Sequence, residues 1–222
     1  MLTSHQPMSG GHAHDVSLDD TLDFLNTDDT DDGFPAERLP SLDAALDWFV
    51  TRGVIHGEGA DGVRRQAEAD TLRGERELAR VHGVRGALRE VAQAVVDHRP
   101  PAPSALETVN RALHARQVIE LVPSNDGCVA VDHRHVGDPI DDALARLSDP
   151  FVVELTAGQP ERIRQCGGDT CFWFFYDTSR TQRRRWCDMA TCGNRAKDAR
   201  HRARARATST DDEAITTITP AL

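Results

Sequence analysis

Four cysteines, Cys166, Cys171, Cys187 and Cys192, fall in one short stretch as two pairs, with four residues inside each pair and fifteen between the pairs. A tetrahedral metal site needs such spacing. Each tight turn presents two thiolates to one ion, and the loop closes the second pair over the first; Zn²⁺ takes four such ligands at about 2.3 Å. One zinc ion is therefore the expected cofactor, and four sulfur ligands leave no open position for a substrate. The fifth cysteine, Cys128, lies alone in an apolar run and is expected to be a small buried hydrophobe.

The same stretch is basic. Between residues 161 and 207, eleven arginines and Lys197 stand against five acids, a balance of +7 in a chain whose net charge is −10. A metal-closed arginine-rich module on an acidic body has the charge distribution of a nucleic-acid-binding end. Arg180, Arg183, Arg184, Arg185, Lys197, Arg200, Arg202, Arg204 and Arg206 are the candidate phosphate contacts on duplex DNA. Asn194 and Arg195 either reach a base edge or brace the metal knuckle through its backbone, and the sequence leaves both readings open. An alternative makes the module an RNA-binding or protein-interaction unit, with Trp173 to Tyr176 available for stacking. Strand alternation would put Trp173 and Phe175 on one face and Phe172 and Phe174 on the other, with one pair in the core.

These residues must be positioned by a 222-residue chain with 39% hydrophobic content, enough for one moderate domain and a small appended one. No run approaches the roughly 18 apolar residues of a membrane span, and the first residues lack a signal-peptide core. A cytoplasmic protein with no membrane partner is expected, and reduced thiols there favour metal over disulfide. The organisation expected is a flexible tail over 1–17, an α+β domain over 18–158, the metal module over 159–207 and a second flexible tail over 208–222. The fold class expected is α+β, mostly helical, with a small antiparallel sheet and a terminal β-hairpin, zinc knuckle and helix.

Residues 22–27 read as a short strand followed by an Asp-rich loop. Asp23, Asn26, Thr27 and Trp48 are candidates to line a pocket for a small-molecule effector; hydrogen bonds to neighbouring backbone are the other reading for Asn26 and Thr27. Ser41 caps a helix running to Gly53, and a Gly-rich break follows over 57–62. Leu78, Val81, Leu88, Val91, Ala92 and Val95 form the apolar stripe of a long helix, whose Gly83 and Gly86 suggest close approach of another element. Ser104 to Glu107 fits a capping box, and 118–122 with 128–131 reads as a hairpin. Asp138-Pro139 and Asp149-Pro150 each look like a helix start. Ala196, Ala199, Ala203 and Ala207 form a small-residue stripe on a final helix ending near Arg206, fit to lie against the hairpin. The chain has no G-x-S-x-G, P-loop, G-x-G-x-x-G or H-E-x-x-H, so no enzymatic activity is expected.

The string from Arg184 to Lys197, containing Cys192-Gly193-Asn194-Arg195, closely resembles the CGNR zinc finger. Leu22 to Thr27, the Trp48 helix and Arg85-Gly86-Ala87-Leu88-Arg89 resemble the ABATE domain that accompanies that finger in bacterial proteins regarded as stress-induced transcription regulators. The resemblance implies zinc on the four cysteines, DNA binding by the finger and ligand sensing by the N-terminal domain. A homodimer is plausible on general grounds, because one finger offers little contact area and two half-sites are usually recruited.

Overall fold

The computed structural model describes residues 16–31, 34–114, 117–123, 128–135 and 137–215, so the tail expected over 1–17 lies almost wholly outside the described residues. The fold is α+β with helices dominant.

The first departure from the sequence expectation is α1 (Leu18–Leu25), a helix where a strand was predicted. Ser17 and Asp20 form a reciprocal capping box, 3.2 Å from the Asp20 amide to the Ser17 hydroxyl and 3.0 Å from the Ser17 amide to the Asp20 carboxylate. That box satisfies two donors locally, and the helix then buries Thr21, Leu22, Phe24 and Leu25 together. The Asp-rich segment is no simple loop but a hairpin of β1 (Asp28–Asp31) and β2 (Phe34–Glu37).

Helix α2 (Leu42–Thr51) starts at the Ser41 cap as expected, with Trp48 half-buried and tilted against Phe24 at 5.7 Å between ring centres. The predicted Gly-rich break is instead the start of α3 (Gly57–Ala69), whose buried Ala60 and Val63 offset the poor helix propensity of its glycines. The central element is α4 (Thr71–Val96), which buries Val81, Leu88, Val91 and Ala92 of the predicted stripe and adds Val84 and Ala87. Gly83 and Gly86 lie on its exposed side with nothing within 4 Å of an added Cβ, so no close approach accounts for them.

Helix α5 (Pro103–Leu113) is capped at Ala102 with Pro103 in its first turn, in place of the expected Ser104 box. Strands β3 (Gln117–Pro123) and β4 (Val129–His135) form the predicted hairpin, and Cys128 beside them is exposed rather than buried. Helix α6 (Pro139–Ala157) starts at Asp138 as expected but runs through Pro150 without restarting. Burial of Leu147 and Phe151 on either side of the proline outweighs its cost of roughly 3 kcal/mol.

The C-terminal module comprises β5 (Ile163–Gln165) paired antiparallel with β6 (Phe174–Tyr176), a π-helical turn over Met189–Gly193, and α7 (Asn194–Ile215). Ile163 and Phe174 belong to the same apolar cluster as Leu25, Leu88 and Phe151, so the hairpin shares the body's core. Phe174 and Phe175 are both buried, against the expectation that one face of the strand would be free. Helix α7 continues to Ile215, past the predicted end near Arg206, and residues 216–222 lie outside the described residues. Its alanine stripe does not pack along its length: Ala196 and Ala199 are half-buried, Ala203 is exposed and the Ala207 side chain is outside the described residues. The helix packs at its start on the Met189–Gly193 turn rather than along the hairpin.

Candidate metal centre

Cys166 follows β5 directly, and the Cys166 amide donates to the Trp173 carbonyl at 2.8 Å, closing the hairpin at its tip. The Gly167 amide donates to the Arg185 carbonyl at 2.8 Å, which draws the second cysteine loop across the first. A Cβ at Gly168 would stand 3.4 Å from that of Cys171 and within 3.7 Å of the Cys166 and Cys192 sulfurs, in ordinary van der Waals contact, so Gly168 packs directly against the knuckle. On the other side, Asp188 caps the π-helical turn by accepting from the Thr191 amide at 2.8 Å, which carries Cys192 inward.

All four sulfurs lie within 4.8 Å of one another. Cys187 Sγ is 3.7 Å from both Cys171 Sγ and Cys192 Sγ. Sulfurs placed tetrahedrally at about 2.3 Å from one ion stand roughly 3.8 Å apart, close to the two separations that Cys187 makes, so the set suits one Zn²⁺. The four thiols ionise together most readily around a cation. Burial raises the Cys166 thiol, but hydrogen bonds led by the Cys187 and Gly168 amides outweigh it and hold the group below its ordinary value. Burial pushes Cys171 up to about 12, and burial with the neighbouring Cys166 and Cys171 charges pushes Cys187 up further. One thiolate thus opposes the others, and a bound positive ion offsets that opposition. With that ion bound, the centre holds one zinc on Cys166, Cys171, Cys187 and Cys192.

The loop between the pairs is organised by Asp177, which is fully buried. The Asp177 carboxylate accepts from the Ser179 and Arg184 amides, each at 2.9 Å, and lies 3.5 Å from Arg164 Nε. Burial raises this carboxyl, but the Ser179 and Arg184 hydrogen bonds with the Arg164 charge leave it below the usual range. Arg184 lies over the Phe175 ring at 4.9 Å and donates to the Trp186 carbonyl at 2.9 Å and to the Cys187 carbonyl. Its guanidinium is thereby committed to bracing the knuckle. Sequence reasoning did not single out Asp177, although Asp-Thr-Ser at a strand end is the pattern of a side chain bonding backbone two residues on.

Of the other candidates, Asn194 donates to the Ala190 carbonyl at 3.1 Å and so ties the first turn of α7 to the π-helical turn. Arg185 stacks on Trp186 at 5.3 Å, and Arg200 Nε bonds back to the Ala196 carbonyl at 3.3 Å. Arg180, Arg183, Arg195, Lys197, Arg202 and Arg204 are exposed, and the Arg206 side chain lies outside the described residues.

The N-terminal candidates divide. Asp23 pairs with Arg52 at 2.5 Å, and that guanidinium lies 5.5 Å above Trp48. Asn26 is buried and clamps the finger: Asn26 Nδ2 donates to the Phe174 carbonyl and Asn26 Oδ1 accepts from the Phe174 amide, each at 2.8 Å. Thr27 accepts from Arg85 at 2.9 Å, and Arg85 also grips Glu37. Arg89 donates to the Leu25 carbonyl at 2.7 Å and lies over the Phe174 ring at 5.2 Å, completing a seam between the two parts.

Residues 162–205 match the family "CGNR zinc finger". Residues 21–158 match the family ABATE, described as "Putative stress-induced transcription regulator". The chain belongs to the ABATE family. No curated protein matches it. In this ABATE protein Asn26, within the matched N-terminal domain, holds Phe174, within the matched finger, so the two domains form one packed unit. No helix among the described residues is long and apolar enough to cross a membrane.

Proposed function

We propose that this protein is a zinc-dependent transcription regulator of the cytoplasm, whose CGNR finger binds duplex DNA and whose ABATE domain regulates that binding. One contrast supports the reading. In the ABATE domain many arginines are paired with carboxylates: Arg52 with Asp23, Arg73 with Asp138, Arg80 with Glu77, Arg85 with Glu37 and Arg99 with Glu90. In the finger, Arg180, Arg183, Arg185, Arg195, Lys197 and Arg202 are exposed and form no ion pair among the described residues. A cation that forms no ion pair among the described residues is available for phosphate.

The zinc is structural in this reading, and the chain carries out no catalytic step. Arg180, Arg183, Arg185, Arg200, Arg202, Arg204 and Arg206 are the phosphate contacts, Arg184 supports the loop that presents them, and Asn194 acts by bracing rather than by reading a base. Arg195 is the residue left to reach a base edge. An effector acts through Asp23, Asn26, Thr27 and Trp48, because a ligand competing for the Asn26 amide would loosen Phe174. A separate groove of about 340 Å³, lined in part by Val95, Val96, Ile163, Arg164 and Arg185, touches both domains but includes none of these four residues. A homodimer engaging two half-sites is the expected assembly.

RNA binding is the second reading, favoured by Phe172, 46% exposed, and the half-buried Trp173 beside Cys171. Titration of the zinc-loaded chain against duplex DNA, single-stranded DNA and RNA at two salt concentrations separates them. Preference for the duplex with an affinity falling steeply in salt is expected; preference for RNA, or indifference to salt, overturns the DNA reading.

A further inference from the structure

We propose that α7 enters the DNA major groove with its Ala199 and Ala203 face toward the base edges and arginines gripping the phosphates on both sides. This rests on the DNA-binding reading and adds to it the element, the groove and the face. Arg195 and Arg202, seven positions apart, share one edge of the helix. Arg200 and Arg204, four positions apart, share another. Ala196, Ala199 and Ala203 fill the sector between those edges, while Asp198, the one acid between 195 and 206, lies with His201 on the far side.

Three observations select duplex DNA as the occupant. The helix touches the Met189–Gly193 turn at its start, where Ala196 and Ala199 are half-buried, and leaves Arg195, Arg200, Arg202, Ala203 and Arg204 exposed, so residues 200–204 stand clear of the body. Its alanines let the backbone approach, and a helix about 10–12 Å across fits a major groove about 12 Å wide with an arginine row against each strand. The sector also lacks any large apolar side chain, whereas a helix docking in a protein groove uses such anchors at this spacing. Alanine methyls suit contact with thymine methyls, and Arg180, Arg183 and Arg185 hold the flanking backbone.

The test compares Ala203→Glu with His201→Glu in the zinc-loaded full chain, using a mixed-sequence duplex of about two helical turns. Both positions are exposed and both changes add one negative charge, so net charge and fold are matched; zinc content and helicity are checked for each. Ala203→Glu is expected to weaken binding at least about tenfold, because its carboxylate meets phosphate and base acceptors at close range. His201→Glu, on the far side and screened by salt, is expected to weaken it less than about threefold. Protection of guanine N7 from methylation, with no displacement by a minor-groove ligand, is the second expected result. Equal losses in the two variants, or displacement by the minor-groove ligand, overturn the assignment of α7 while duplex binding stands. Failure of the wild-type chain to bind duplex overturns both.

Discussion

Asn26→Ala would remove the one side chain that bonds both backbone groups of Phe174 across the seam. Asn26 is 5% exposed and Phe174 2%, so water cannot replace the lost partners without opening the packing. Each buried backbone group left unpaired costs about 1–3 kcal/mol, and two of them give about 2–6 kcal/mol. For a chain of this size that corresponds to a fall in Tm of roughly 4–24 °C. The seam should fail before the metal site, because the cysteine ligands are untouched. The assay follows thermal unfolding of the zinc-loaded chain together with amide exchange at Phe174, expected to accelerate, and zinc transfer to a chelator. Asn26→Asp should cost at least as much at pH 7, since it keeps the acceptor for the Phe174 amide but sets a carboxylate against the Phe174 carbonyl. A Tm within about 1 °C of wild type, with Phe174 exchange unchanged, would refute the claim that this amide joins the domains.

Further outcomes concern the finger. Cys187→Ser should lose the zinc, unravel the cysteine loops and lower the stability of the ABATE domain, whose core includes Ile163 and Phe174; a full equivalent of zinc in that variant would contradict a four-thiolate centre. Arg183→Ala with Arg185→Ala should weaken DNA binding for all sequences alike and reduce the salt slope by about two, whereas a loss confined to one sequence would contradict phosphate contact. Asp177→Asn should destabilise the finger at pH 7. The Asp177 carboxyl is held below its ordinary value when folded, so its charge contributes stability above about pH 4 that fades as pH falls through the lowered value. The gap in urea midpoint between wild type and Asp177→Asn should therefore close on acidification, and a gap independent of pH would mean that the charge plays no part.

The metal site was legible in the sequence because chelation is a local matter: two short loops fix two ligand pairs, and the donor type selects the ion. The hairpin tip, the caps at Ser41 and Asp138 and the buried stripe of α4 were legible for the same reason, since each depends on residues within a turn or two. What escaped sequence reading depended on partners far along the chain. Residues 22–27 carry β-compatible types, and only burial of Leu22 and Leu25 against the other helices, with the Ser17 cap, makes them a helix. Pro150 resembles a helix start and becomes a helix interior because Leu147 and Phe151 are both held in the core.

Net charge and its concentration in one segment were fixed by composition. Which arginines stay unneutralised was decided by tertiary structure: Arg85 and Arg89 on α4 are drawn to Glu37, the Leu25 carbonyl and Phe174, and Arg184 is spent on the knuckle. Asn26 shows the division most plainly. As a residue type it could cap, line a pocket or bond its neighbours; its role was set by a backbone 148 positions away. Sequence spacing alone determines a site whose parts lie within one loop, whereas a contact between distant segments exists only once a shared core has brought them together.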